Sequence, residues 1–144
     1  MISIQVICLG KLKEKFYISA SDEYLKRLTP YAKMQIVELP ETATDTDIMA
    51  KVAGGSYLVP MCIEGDMLSS EALADKIKSV ANRGISKITF FIGGSEGLPQ
   101  GVKDKADLKL SMSRMTFPHH FARVMVLEQI YRAFKINEGG KYHK

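Results

Sequence analysis

Ile88-Thr89-Phe90-Phe91-Ile92-Gly93-Gly94-Ser95-Glu96-Gly97-Leu98 is the stretch on which the fold turns. A β-branched and aromatic run that halts on two glycines reads as a buried strand followed by a turn whose backbone approaches something closely. A ligand is the expected neighbour. Toward the C-terminus, 108–112 predicts a second strand ending in a polar, hydroxyl-bearing loop, with Pro118 where a helix begins. That helix runs to about Ile136 and carries Arg123, Glu128 and Arg132, and beyond it hangs the tail Gly139-Gly140-Lys141-Tyr142-His143-Lys144.

Toward the N-terminus, 2–9 alternates and then becomes wholly apolar, as a strand buried on both faces does. Apolar residues at threes and fours predict a helix over 13–28, broken at Thr29-Pro30. A strand is expected over 34–39, a short helix capped by Asp47 through Val52, and a strand over 57–63. Pro60 implies an irregularity there or an exposed donor side. Ser69-Ser70-Glu71 opens a helix through Ala81, and a short helix over 102–106 follows the glycine turn. Strands alternating with helices predict an α/β fold: one domain, 1–144, with a mainly parallel sheet covered by helices on both faces.

A chain of 144 residues, 46% apolar, suffices for one core of ordinary size. The lack of an eighteen-residue apolar run, and of a basic leader before the first strand, predicts a soluble, cytoplasmic protein without membrane contact. Cys8 and Cys62 lie in apolar runs and read as structural thiols. Charge is uneven: residues 1–40 carry six basic and four acidic side chains (+2), 41–100 five and eight (−3), and 101–144 nine and four (+5). The last third, which also holds all three histidines, suits a polyanionic partner.

On the last helix, at 100° per residue from Phe121, Val124, Val126, Leu127, Ile130, Tyr131 and Phe134 spread from about 140° to about 300°. So broad an apolar surface needs cover on more than one side, and a second subunit is the expected cover. Arg123 falls inside the arc and requires an acidic partner or an interface. Glu128 and Arg132 are spaced to pair, by themselves as a surface ion pair of small worth.

Gly93-Gly94-Ser95-Glu96-Gly97 has the form of an anion nest, yet no Gly-Lys-Ser/Thr follows and the dinucleotide spacing is absent. A purine-bearing ligand held by several loops fits as well as a phosphate. His119-His120 lacks the further ligands of a metal shell, so no metal is expected. Met61, Met67, Met112, Met115 and Met125 read as fillers of a core or a pocket rim.

These phrases, with Gly10-Lys11-Leu12-Lys13-Glu14, Met67-Leu68-Ser69-Ser70-Glu71, Leu110-Ser111-Met112-Ser113-Arg114-Met115-Thr116-Phe117-Pro118-His119, Glu128-Gln129-Ile130-Tyr131-Arg132-Ala133-Phe134-Lys135-Ile136 and the final Tyr142-His143-Lys144, resemble the bacterial 23S rRNA pseudouridine N3-methyltransferases of the SPOUT superfamily. The resemblance covers nearly the whole chain. It implies an α/β knot, in which the C-terminal segment threads a loop of the sheet against the usual rule, and a homodimer. It also implies S-adenosylmethionine held by Met61, Gly93 and the loop Met112, Ser113, Arg114, Met115, Thr116 and Phe117. The implied substrate is a pseudouridine in a subunit-interface stem-loop of 23S rRNA, acted on in the assembled ribosome. His143 is the candidate base, with Arg132, Tyr142 and Lys144 positioning the RNA and Glu128 orienting Arg132; the family's tail reaches the opposite subunit's site. Two departures stand out: 41–56 is short for the family, and Asp66 replaces a frequent basic residue. The second reading is a noncatalytic ribosome-binding module of the same fold, and the third a small nucleotide-binding protein, against which the missing P-loop lysine speaks.

Overall fold

A computed structural model describes residues 1–94 and 96–144. In chain order the elements are β1 (Ile2–Leu9), α1 (Lys15–Leu28), β2 (Ala32–Leu39), α2 (Asp45–Lys51), β3 (Tyr57–Met67), α3 (Ser70–Asn82), β4 (Lys87–Ile92), α4 (Gln100–Asp104), β5 (Leu110–Ser111) and α5 (His119–Asn137). The strands form one sheet, ordered β2-β1-β4-β3-β5, with every pairing parallel. The expected α/β class is the observed one.

Strand alternation sorts the core into two layers. Ile4, Val6 and Cys8 of β1 face α1, α3 and α5, whereas Ile7 and Leu9 face Ile48 of α2 and Val102 of α4. In β4, Phe90 enters the first layer and Phe91 the second, and both are fully buried. Each contributes roughly 1.5–3 kcal/mol of burial free energy.

Register then decides which residues share an edge. Cys8 stands between Glu38 and Ile92, Pro60 opposite Phe91, and Met61 opposite Leu110. Because all strands run one way, Gly93, Met61 and Met112 emerge together at the carboxyl edge, where open α/β sheets hold their ligands.

Four local expectations change. Thr44, not Asp47, caps α2: its hydroxyl accepts from Asp47 N–H while the Asp47 carboxylate accepts from Thr44 N–H, a reciprocal box that makes Asp47 the third helical residue. β3 outlasts its apolar run and reaches Met67, because a register shift between Met61 and Asp66 lets Asp66 N–H bond Lys109 C=O at 2.8 Å. Gly65 permits that approach, since a Cβ there would stand 2.6 Å from the Lys109 carbonyl oxygen. The irregularity anticipated at Pro60 thus begins one residue later, and β5 keeps only two residues of regular pairing.

α5 finds cover within its own chain. Leaving edge strand β5, it returns to the middle of the sheet and lies against both α1 and α3. Arg123, only 4% exposed, meets its partner in Glu38 of β2 at 2.7 Å. What stays open is an aromatic corner where Phe16 and Phe121 flank Tyr17.

Candidate functional site

At the carboxyl edge, β4 delivers a turn closed by Gly97 N–H donating to Gly94 C=O at 3.1 Å. The close approach expected of Gly93 is made to the chain itself: a Cβ there would stand 2.8 Å from the Gly97 carbonyl oxygen. Ser95, and with it the centre of the expected nest, lies outside the described residues. The loop after β5 is ordered from within, since Ser111 Oγ donates to Ser113 C=O and Met115 N–H to Ser113 Oγ. Arg114, Met115 and Thr116 are exposed, and Phe117 is half-buried.

Between β3, β5, α3 and α5 lies a cleft of about 370 Å³, within the range of small-molecule sites. Met61, Phe90, Leu110, Met112, Met125 and Ile130 give it apolar walls; Ser69, Ser70, Ser111 and Gln129 supply hydroxyls and an amide. Of the eight expected cofactor residues, Met61 and Met112 line the cleft. Gly93 and the 113–117 loop lie outside its walls. Met125 joins the rim as a filler should, but Met67 and Met115 are exposed.

The second group of expected residues gathers on α5. Arg132 donates to Glu128 through Nε and Nη2, at 3.1 and 2.8 Å, and Tyr142 donates its phenolic hydrogen to the same carboxylate at 2.9 Å. Arg132 also covers the Tyr142 ring, 4.8 Å from its centroid, and its Nη1 lies 3.0 Å from His143 Nδ1. His143 Nε2 in turn pairs with Glu71 at the start of α3. Glu128 and Arg132 are therefore the anchor of the tail, more than a surface pair. Lys144 is exposed.

The protonation states follow from these contacts. The bond to Glu128 raises the Arg132 pKa against the opposing effect of burial, which keeps the guanidinium charged. Burial first, then the bond to Glu128, pushes the Tyr142 phenol up to about 12. Glu71 is held below the usual carboxylate range by its own backbone N–H and by His143. The rings of His119 and His120 meet at a tilt of 45° beside Glu41, and among the described residues no grouping of His, Cys, Asp or Glu could hold a metal ion.

A family profile described as "Predicted SPOUT methyltransferase" matches residues 2–143. The chain belongs to the SPOUT methyltransferase family. Among its SPOUT relatives, the ribosomal RNA large subunit methyltransferase H of Clostridium novyi is 46% identical over 159 aligned positions, covering 99% of this chain and all of the relative. Proteins of the same name from Desulforamulus reducens and Bifidobacterium animalis subsp. lactis are 44% and 43% identical, over 100% and 99% of this chain and all of each relative. A solved structure, of a probable methylase family protein from Haemophilus influenzae, superposes with a TM-score of 0.63 at 13% identity. It covers 99% of this chain and 71% of that one, a likeness of fold alone.

Two bonds join the halves of this candidate site: Ser70 Oγ donates to Gln129 Oε1 at 2.6 Å, and Gln129 Nε2 to Glu128 Oε1 at 2.8 Å. One wall of the cleft thus continues into the tail network. Ser70, Glu71 and Gln129 belong to the cleft wall and the tail network, and the sequence reading passed over them. They stood in the quoted phrases, yet Ser70 and Glu71 read as a helix start, and nothing in their spacing tied them to a tail some seventy residues on.

Proposed function

We propose that this chain transfers a methyl group from S-adenosylmethionine to N3 of a pseudouridine in the subunit-interface stem-loop of 23S rRNA, acting on the assembled ribosome. The observation that carries this reading is full-length identity of 43–46% to proteins named ribosomal RNA large subunit methyltransferase H. In the same reading the protein is a cytoplasmic homodimer whose C-terminal segment forms a trefoil knot. The return of α5 from the sheet's edge to its middle, and the open Phe16–Phe121 corner, are in keeping with both.

The cleft fits the proposed cofactor by its chemistry. Methionine, leucine and phenylalanine walls suit an adenine and a sulfonium, and the hydroxyls and Gln129 suit a ribose and an amino acid. Met61 and Met112 would hold it from the cleft, with Gly93 and Ser113 to Phe117 closing over it from the edge. S-adenosylmethionine supplies an activated methyl group; the protein's task is to hold the acceptor nitrogen in line and deal with its proton.

Arg132 cannot take that proton, which passes to solvent water, but it is the better-placed group for the charge left behind. Fixed and permanently charged through Glu128, it can steady the anion that forms on the ring as N3 loses its hydrogen. His143 can act as base only after releasing Arg132, which occupies the Nδ1 lone pair. Tyr142 and Lys144 would position the nucleotide and its phosphates.

Ligand-dependent melting tests the cofactor half. S-adenosylmethionine at a hundred times its dissociation constant should add about 2.7 kcal/mol to stability, and ATP should add little. Stabilisation by ATP alone would favour the nucleotide-binding reading instead.

A further inference from the structure

The short α2 covers only part of its face of the sheet. On β1 the apolar layer beneath it ends at Ile7, and one row further toward the amino edge β2, β1 and β4 present polar residues. Register places Lys33 and Lys87 on either side of Ser3, and Gln35 and Thr89 on either side of Gln5. Gln5 fixes this floor: it donates to Lys51 C=O at 2.8 Å and accepts from Ala53 N–H and Thr89 Oγ1 at 3.0 and 2.9 Å. The result is a groove of about 210 Å³ lined by Ser3, Gln5, Lys33, Gln35, Ala53 and Lys87, with Ile4, Met34 and Ile88 between them.

Lys33, Lys51 and Lys87 are exposed, and none joins an ion pair among the described residues. Across two strand spacings the Cα atoms of Lys33 and Lys87 stand about 10 Å apart. We propose that this basic sheet face is a second RNA-binding surface, which grips the phosphate backbone of the substrate RNA away from the reacting nucleotide.

The occupant follows from the chemistry. Along the row of Ser3, Gln5 and Gln35 the groove presents amides and a hydroxyl between two lysines, which an apolar helix would leave unpaired. The cations are solvated and spread out, suiting successive phosphates of a chain better than one enclosed anion. Ser3 and Gln35 add the neutral donors that such backbones accept from. The groove opens about 20 Å from the carboxyl edge, six residues along β1, so its contacts contribute to binding and not to the chemical step. This inference rests on the RNA substrate class proposed above.

The test replaces all three lysines together, K33Q/K51Q/K87Q, with K33R/K51R/K87R beside it. Binding to ribosomes is measured against salt concentration, and methyl transfer at saturating ribosome. The glutamine variant should show a slope of log K against log salt that is shallower by about 2 to 3 and a KM for ribosomes raised about tenfold. Its kcat and its stabilisation by S-adenosylmethionine should be unchanged, and the arginine variant should behave as wild type. A glutamine variant with wild-type slope and KM would overturn the surface while leaving the proposed function standing. An altered slope without methyl transfer to any ribosomal RNA, by wild type or variant, would retain the surface and overturn the function. Wild-type protein that binds no ribosomal RNA would overturn both.

Discussion

Arg132 Nη1 donates to His143 Nδ1 across 3.0 Å. A guanidinium has no acceptor, so the imidazole nitrogen facing it is the bare one, and the hydrogen of the neutral ring sits on Nε2, directed at Glu71. The ring is thus held at both nitrogens. Nitrogen-15 spectra of the neutral ring should show the Nε2–H tautomer for His143, and Glu71→Gln should leave Arg132 and Tyr142 in place while loosening the ring. A predominant Nδ1–H tautomer would mean that Arg132 and His143 do not pair.

Glu128 anchors the whole tail, so its loss should reach further than loss of any single partner. Glu128→Ala removes the acceptor of both Arg132 and Tyr142 and should cost about 1–3 kcal/mol in urea unfolding, against about 1 kcal/mol for Tyr142→Phe. The Tyr142 phenol, raised to about 12, contributes stability that is fully present below its ordinary range near pH 10 and is lost as pH rises toward 12. Tyr142→Phe should flatten that alkaline loss.

Arg123 and Glu38 form a buried pair of unequal members. Arg123 is almost wholly enclosed, and its Nε and Nη1 have no partner among the described residues, whereas the Glu38 side chain is about a third exposed. Glu38→Ala strands a buried cation and should cost about 3 kcal/mol; Arg123→Met removes it and should cost less. Burial pushes the Glu38 carboxyl up, but the bonds from Arg123 and Leu12 N–H outweigh this and hold it below the usual range. Its contribution is therefore present above the ordinary carboxylate pKa and is lost as pH falls through the lowered one. A double variant that lacks both charges should lose less stability on acidification than wild type, as read by urea unfolding.

Gly93 is constrained by the turn as well as by any ligand. Gly93→Ala drives a Cβ against the Gly97 carbonyl and must shift the loop, so S-adenosylmethionine affinity should fall at least about tenfold with the fold intact by circular dichroism. Unchanged affinity would remove this turn from the cofactor site.

The fold was legible wherever burial is two-sided. β1 and β4 end in the apolar runs 6–9 and 90–92, which mark them as buried strands of a mainly parallel sheet, whereas their adjacency comes only with the structure. Arg123 advertised its partner by falling inside an apolar arc, though not which carboxylate would answer. The end of β3 was not legible, because its last residues are held by backbone bonds to Lys109 and not by apolar side chains. Of the site, Glu128 and Arg132 could be paired from helical spacing alone. Their joining to Glu71 and Ser70 could not, since it depends on α5 lying beside α3. Lys33 and Lys87 of the amino-edge groove were invisible for the same reason: only parallel register brings them to one row.

The most direct measurement is transfer of labelled methyl from S-adenosylmethionine to ribosomes from cells lacking this activity, alongside free large subunits and naked RNA, with the product located by mass spectrometry. Label on N3 of a pseudouridine of 23S rRNA, mainly in assembled ribosomes and lost when Tyr142 to Lys144 are removed, is the expected result. Cofactor binding without transfer to any of the three substrates would contradict it.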